Sequence, residues 1–199
     1  MSAVSAVRDR RTERREATRR EILDAAWELV RADGLAALAM RNLGARVGMR
    51  AQSLYAYFPS KNAIVDAMFA ESNRQLLDRI AALPPVTDPV ARLRLLARSF
   101  VDFCVEDQVR YQLLYQRTIP RFVPSPESYA PAVEVLDGAR EALRACGIHG
   151  DRALDAWTAV IAGVAAQQNS NQPGGDRWVR LLDDVIDMYL SHFGTPGAG

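Results

Sequence analysis

Residues 54–61 read Leu-Tyr-Ala-Tyr-Phe-Pro-Ser-Lys, and the fold of the chain is decided by how this stretch is read. It follows a short apolar helix pattern, a Val47-Gly48-Met49 turn and a second short helix pattern. Two tyrosines, a helix start and one lysine lie within eight residues, directly after a helix-turn-helix arrangement. Such tips suit a surface that holds a phosphate backbone while the preceding helix turn meets base edges. Lys61 adds weight, because it is the only lysine in a chain that otherwise uses arginine 24 times.

Outward from this stretch, charge divides the chain in two. The 199 residues carry a net charge of only +1, which evenly spread would argue against a polyanionic partner. Residues 1–61, however, hold 12 basic and 7 acidic side chains, while 62–199 hold 13 and 17. A basic front and an acidic rear describe a polyanion-facing module joined to a part with another task. Hydrophobic residues at 49% and charged residues at 25% are the balance of a globular protein with a core. Two cysteines, Cys104 and Cys146, form neither a disulfide framework nor a metal-binding spacing. No leader pattern and no apolar run of membrane-spanning length is read, so the expected setting is a reducing cytoplasm.

The spacing of apolar residues is helical throughout. Residues 1–17, rich in Arg, Ala, Ser and Glu, read as a flexible basic arm. Thr18 to Glu21 fits a capping box opening a first helix of about 15 residues, with Ile22, Ala26, Leu29 and Val30 inward. A short helix around Met40, Leu43 and Val47 ends at Gly48, and another spans about 50–57. Pro59-Ser60 caps a long fourth helix, which Pro84-Pro85 ends, and Asp88-Pro89 starts a fifth. A segment at 108–116 follows, then a proline-rich loop over 120–131 and helices at 132–146, 151–168 and 176–193. No sustained period-two alternation appears, so the expectation is an all-α chain of nine helices.

The pattern through Thr18, Ile22, Ala25-Ala26, Gly34, Met40, Leu43, Val47-Gly48, Leu54-Tyr55, Tyr57-Phe58 and Lys61 resembles the TetR family of bacterial transcription regulators. The resemblance covers about residues 18–80; beyond them only the general plan agrees. It implies a three-helix DNA-binding domain with its helix-turn-helix at about 39–58. A larger helical domain over 81–199 would then bind a small effector and form a homodimer. It also implies a regulator, a repressor in the first instance, working in a bacterial cytoplasm and associated with the nucleoid when bound. Two positions depart from the pattern: Ala39 stands where Ser or Thr usually precedes the second helix, and Arg50 where a small hydroxyl residue usually opens the third. Each loses a side-chain cap at about 1 kcal/mol. Gly44 replaces the usual Ala, a further small helix penalty.

A recognition helix reads bases with its first turn, here Arg50, Ala51, Gln52 and Ser53. Arginine suits the paired acceptors of guanine, glutamine the donor-acceptor pair of adenine, and Ala51 a thymine methyl. By the resemblance, Arg41 matches a position that contacts a base or nearby phosphate, and Thr18, Tyr55, Tyr57 and Lys61 match phosphate-holding positions. Lys61 also lies by the start of the fourth helix, whose free N–H groups favour an anion. Leu54 and Phe58 are read as core, and Tyr55 competes between packing and contact.

In the rear part, small residues among Leu154, Trp157, Val160, Ile161 and Val164 allow close helix approach. Together with the stripe Trp178, Leu181, Leu182, Val185, Tyr189 and Phe193, they suit a two-fold four-helix contact between subunits. A pocket for a small, mostly apolar effector is expected between the helices of 88–168. Its candidate lining residues are Phe100, Phe103, Cys104, Tyr111, Tyr115, Phe122, Tyr129, Trp157 and Gln168, each competing with ordinary core packing. Neither histidine, His149 or His192, lies in an activating motif, so no enzyme, cofactor or metal site is expected. The rival is a small-molecule-binding or scaffold protein without DNA activity. The expected partners are therefore a double-stranded operator, an effector and a second copy, with no membrane.

Overall fold

The computed structural model describes residues 3–194, with side chains from Arg10 onward. Nine α-helices run through them: α1 (Ala3–Asp33), α2 (Met40–Arg46), α3 (Ala51–Leu54), α4 (Lys61–Ala81), α5 (Pro89–Glu106), α6 (Gln108–Tyr115), α7 (Pro126–Ala145), α8 (Asp151–Asn171) and α9 (Leu182–Phe193). Single 3₁₀ turns at Leu35–Ala37 and Val179–Leu181 complete the order, and no strand occurs among the described residues. The fold is all-α, as the periodicity implies.

The largest departure is at the front. Residues 3–17 of the expected arm continue α1 without a break, and residues 1–2 lie outside the described residues. Thr18 is therefore no N-cap: it sits mid-helix, where its hydroxyl donates to the Arg14 carbonyl at 3.1 Å. Alanine, arginine and glutamate are strong helix formers, and their propensity extends the helix where no apolar stripe marks it. Three further boundaries move. α7 begins at Pro126 inside the expected 120–131 loop and carries Pro131 within it. Ser125 caps it by accepting from Ser128 N at 3.2 Å. The expected helix over 176–193 is instead a 3₁₀ turn followed by α9, and α8 absorbs Asn169 to Asn171. Residues 195–199, assigned to the rear domain, lie outside the described residues.

Two cores result. The first gathers Ile22, Ala26 and Val30 of α1, Leu43 of α2, Leu54 and Phe58 after the turn, and Ile64, Val65 and Met68 of α4. The second gathers Leu93, Ala97 and Val101 of α5 with Leu143, Leu154, Trp157, Ile161, Leu182, Ile186 and Tyr189. α4 serves both parts. With 21 residues it is about 32 Å long. Its first two turns close the front core, and its later turns run along the rear helices. Asp88 and Ser60 cap α5 and α4 as expected, accepting from Ala91 N at 2.6 Å and from Ala63 N at 3.1 Å.

Polar ties hold the two parts in register. Arg31 of α1 reaches Asp107 at the α5–α6 junction, with Nη2 2.8 Å from Oδ2. Asp66 of α4 accepts three bonds of 2.8 Å, from Ser125 N, Ser125 Oγ and Ser128 Oγ, at the start of α7.

Candidate nucleic-acid interface and effector cavity

Gly48, at φ 67°, closes α2 with a left-handed residue, and the chain turns at once into α3. Gly44 makes that turn close. A Cβ there would stand 2.7 Å from the Met49 carbonyl oxygen and 3.2 Å from Ala51 N. The bare glycine is thus what lets α2 meet the start of α3, beyond its cost to helix propensity. Neither Ala39 nor Arg50 makes a side-chain cap. Arg50, in extended backbone ahead of α3, keeps its guanidinium in solvent instead.

α3 is a single α-turn, continued by turns in which Tyr57 N and Phe58 N both reach the Leu54 carbonyl at 2.9 Å. Leu54 and Phe58 are buried, which turns Gln52, Ser53 and Tyr55 outward. Arg41 on α2 is also exposed, while Ala51, Tyr57, Lys61 and Thr18 are half-buried. Arg41, Arg50 and Lys61 enter no ion pair among the described residues. The helix-turn-helix and the start of α4 thus offer the exposed amide of Gln52, the hydroxyls of Ser53 and Tyr55 and three cations outside any ion pair among the described residues.

Two residues that the arginine run concealed hold this face. Arg15 and Arg19, one turn apart on α1, donate to the carbonyls of Ala56, at 2.6 Å, and Tyr57. The Arg15 guanidinium lies 5.5 Å from the Tyr57 ring centre, and that of Arg19 4.2 Å from Phe58. The last turn of the helix-turn-helix is thus clamped to α1 by two cations. Their i, i+4 spacing was the available signal, but it does not reveal what they face.

A cavity of about 580 Å³ lies between α4, α5, α7 and α8. Of the expected lining residues, Phe100, Tyr115, Tyr129 and Trp157 are there. The other five are placed elsewhere. Phe103 is buried under the Arg110 guanidinium, 3.6 Å from its ring centre. Cys104 and Tyr111 pack with Ala165. Phe122 meets Phe69 edge-on at 6.2 Å beside the front core. Gln168 holds the chain entering α9: its Oε1 accepts from Trp178 N at 2.9 Å and Val179 N at 3.3 Å, and its Nε2 donates to the Gln172 carbonyl. In their place α4 supplies Phe69, Asn73, Leu77 and Ile80, while α5 adds Arg92 and Leu96.

Burial pushes the Cys104 thiol up to about 12, so it stays protonated. Burial also raises the Tyr115 phenol, whose side chain lines the cavity. A second concavity lies on the outside of α8 and α9, among Val160, Gly163, Leu181, Val185 and Met188. Met188 is 70% exposed there. Among the described residues no cluster of His, Cys, Asp or Glu could hold a metal, and no helix is long and apolar enough to cross a membrane.

A helix-turn-helix clamped to a first helix, followed by further helices that frame a cavity with α4, defines an all-helical class of helix-turn-helix proteins. Residues 22–68 match the family described as bacterial regulatory proteins, tetR family. Residues 22–68 thus carry a domain of that family. No curated protein matches the chain.

Among solved structures it is similar to a protein of unknown function from Rhodococcus sp. RHA1, at 19% identity, with 89% of this chain and 95% of that one covered and a TM-score of 0.74. It is also similar to PfmR, a TetR family transcriptional regulator from Thermus thermophilus, at 20% identity, 85% and 97% coverage and a TM-score of 0.64. A third is EbrR, a multidrug binding protein complexed with imidazole, at 22% identity, 92% and 93% coverage and a TM-score of 0.62. At these identities the likeness establishes the fold.

Proposed function

We propose that the chain is a homodimeric repressor that binds a near-palindromic operator and is released by a small, mostly apolar effector in the cytoplasm. The observation that carries this reading is α4. The same helix begins at Lys61 on the DNA-facing side and lines the cavity with Phe69, Asn73, Leu77 and Ile80. A ligand that spreads the cavity wall therefore acts on the element that positions the reading head. Such a ligand shifts the balance of states only by its differential affinity for them.

In this reading Arg50, Ala51, Gln52 and Ser53 meet base edges, with Arg41 beside them, and Tyr55, Tyr57 and Lys61 hold phosphates. Thr18 lies one helix position from Arg19 and reaches the same backbone. The outer face of α8 and α9 pairs two copies, with Met188 and Leu181 in the contact, and sets the heads one helical turn of DNA apart. The test is selection of bound duplexes from random DNA, repeated with apolar compounds. Enrichment of an inverted repeat, lost when a cavity ligand is added, supports the reading; no enrichment refutes it.

A further inference from the structure

The cavity wall is apolar except at a few points, and one of them is almost wholly buried. Asn73 on α4 is 2% exposed and lines the cavity. Its Nδ2 donates to the Phe69 carbonyl one turn back, at 3.0 Å. Among the described residues no group donates to its Oδ1. Arg92 is half-exposed and Glu134 and Glu141 are exposed, so their charges remain hydrated. Asn73 is thus the one acceptor side chain in the wall that is more than nine-tenths buried.

Aromatic rings line the same cavity. Phe69 and Tyr129 stack with centres 6.3 Å apart and planes within 15°, and Phe100 and Tyr115 meet edge-on at 5.5 Å. All four line the cavity, with Trp157. Ring faces and edges of this kind favour another ring over a flexible alkyl chain. A purely apolar occupant would strip water from the Asn73 carbonyl and return nothing, which is costly for a buried acceptor.

We propose that the cavity selects an aromatic compound bearing a hydrogen-bond donor on its ring, a phenol or ring N–H, and that Asn73 Oδ1 accepts that hydrogen. This rests on the effector reading above and adds the ligand's chemical class and the residue that discriminates it. Methylating the donor removes the bond and leaves the acceptor unpaired, as happens wherever a site is built to hydrogen-bond its ligand.

The test titrates the full-length protein by calorimetry with 4-phenylphenol and 2-naphthol, each beside its methyl ether. The expected result is a phenol affinity about tenfold to hundredfold above that of the ether. In Asn73→Leu the gap closes because phenol binding weakens while ether binding holds. If that variant does not fold, Asn73→Ala takes its place, and the wild-type comparison decides without either. Equal binding of phenol and ether overturns the proposal, as does binding of neither. A parallel titration of operator-bound protein separates the two readings. Preferential phenol binding that leaves the operator bound upholds the ligand class and overturns the effector role.

Discussion

Removing the Asp66 carboxylate tests how the cavity and the reading head are joined. Asp66 accepts three bonds of 2.8 Å from Ser125 N, Ser125 Oγ and Ser128 Oγ. Ser128 is buried, whereas Asp66 and Ser125 are half-buried, so water replaces part of what is lost. Three bonds to a charged acceptor, discounted for that water, make Asp66→Ala cost about 2–4 kcal/mol. The loss concentrates where α7 starts, and α7 with α4 forms a wall of the cavity. Urea unfolding at one fixed protein concentration measures it, since self-association makes apparent stability concentration-dependent. Arg74→Ala, exposed on the same helix, serves as control and stays within 0.5 kcal/mol, roughly the range of surface substitutions. Operator affinity of Asp66→Ala stays close to wild type, while the concentration of ligand needed for release changes. A cost below about 1 kcal/mol would refute the claim that this carboxylate ties the two helices together.

Other positions carry expectations of their own. Arg19→Ala removes the cation above Phe58 and the bond to the Tyr57 carbonyl. It lowers stability by about 1–2 kcal/mol and weakens operator binding, read by thermal melts and by electrophoretic shift. Cys104, with its thiol near 12, resists alkylation at pH 8 in the folded protein and reacts after unfolding, whereas half-exposed Cys146 reacts first. Mass spectrometry of the modified peptides checks the order. Met188→Lys places a charge on the outer face of α9 and shifts sedimentation toward the single chain without changing the helix content.

How legible all this was depends on which physical signal each element carries. Buried stripes such as Ile22, Ala26 and Val30 and caps such as Asp88 and Ser60 announce themselves, because burial and capping restrict residue type. The first half of α1 carries no stripe, only propensity, so its arginines and alanines read as an arm. Thr18 fits a cap as well as it fits a mid-helix hydroxyl bonded to Arg14, and sequence does not separate the two. Pro131 argued for a loop, yet the cap at Ser125 and the packing of α7 on α4 override it.

In the cavity the aromatic composition was readable, but its partners were not. Expecting the pocket between helices of 88–168 left out α4, whose Phe69, Asn73, Leu77 and Ile80 form one wall. A helix that leaves one core and enters another has one continuous apolar face, and nothing in its spacing marks the crossing. Gln168 was drawn in as a polar tip for a ligand, whereas its amide meets the orphan N–H groups ahead of α9.

The central claim, that the front face grips a duplex through its cations, is tested most directly by operator affinity against salt. With on the order of 6–10 phosphate contacts per dimer, log Kd against log salt should have a slope magnitude of about 5–9. Lys61→Ala, present in both subunits, should reduce that magnitude by about 2. A slope near zero, or one that Lys61→Ala leaves unchanged, contradicts the account.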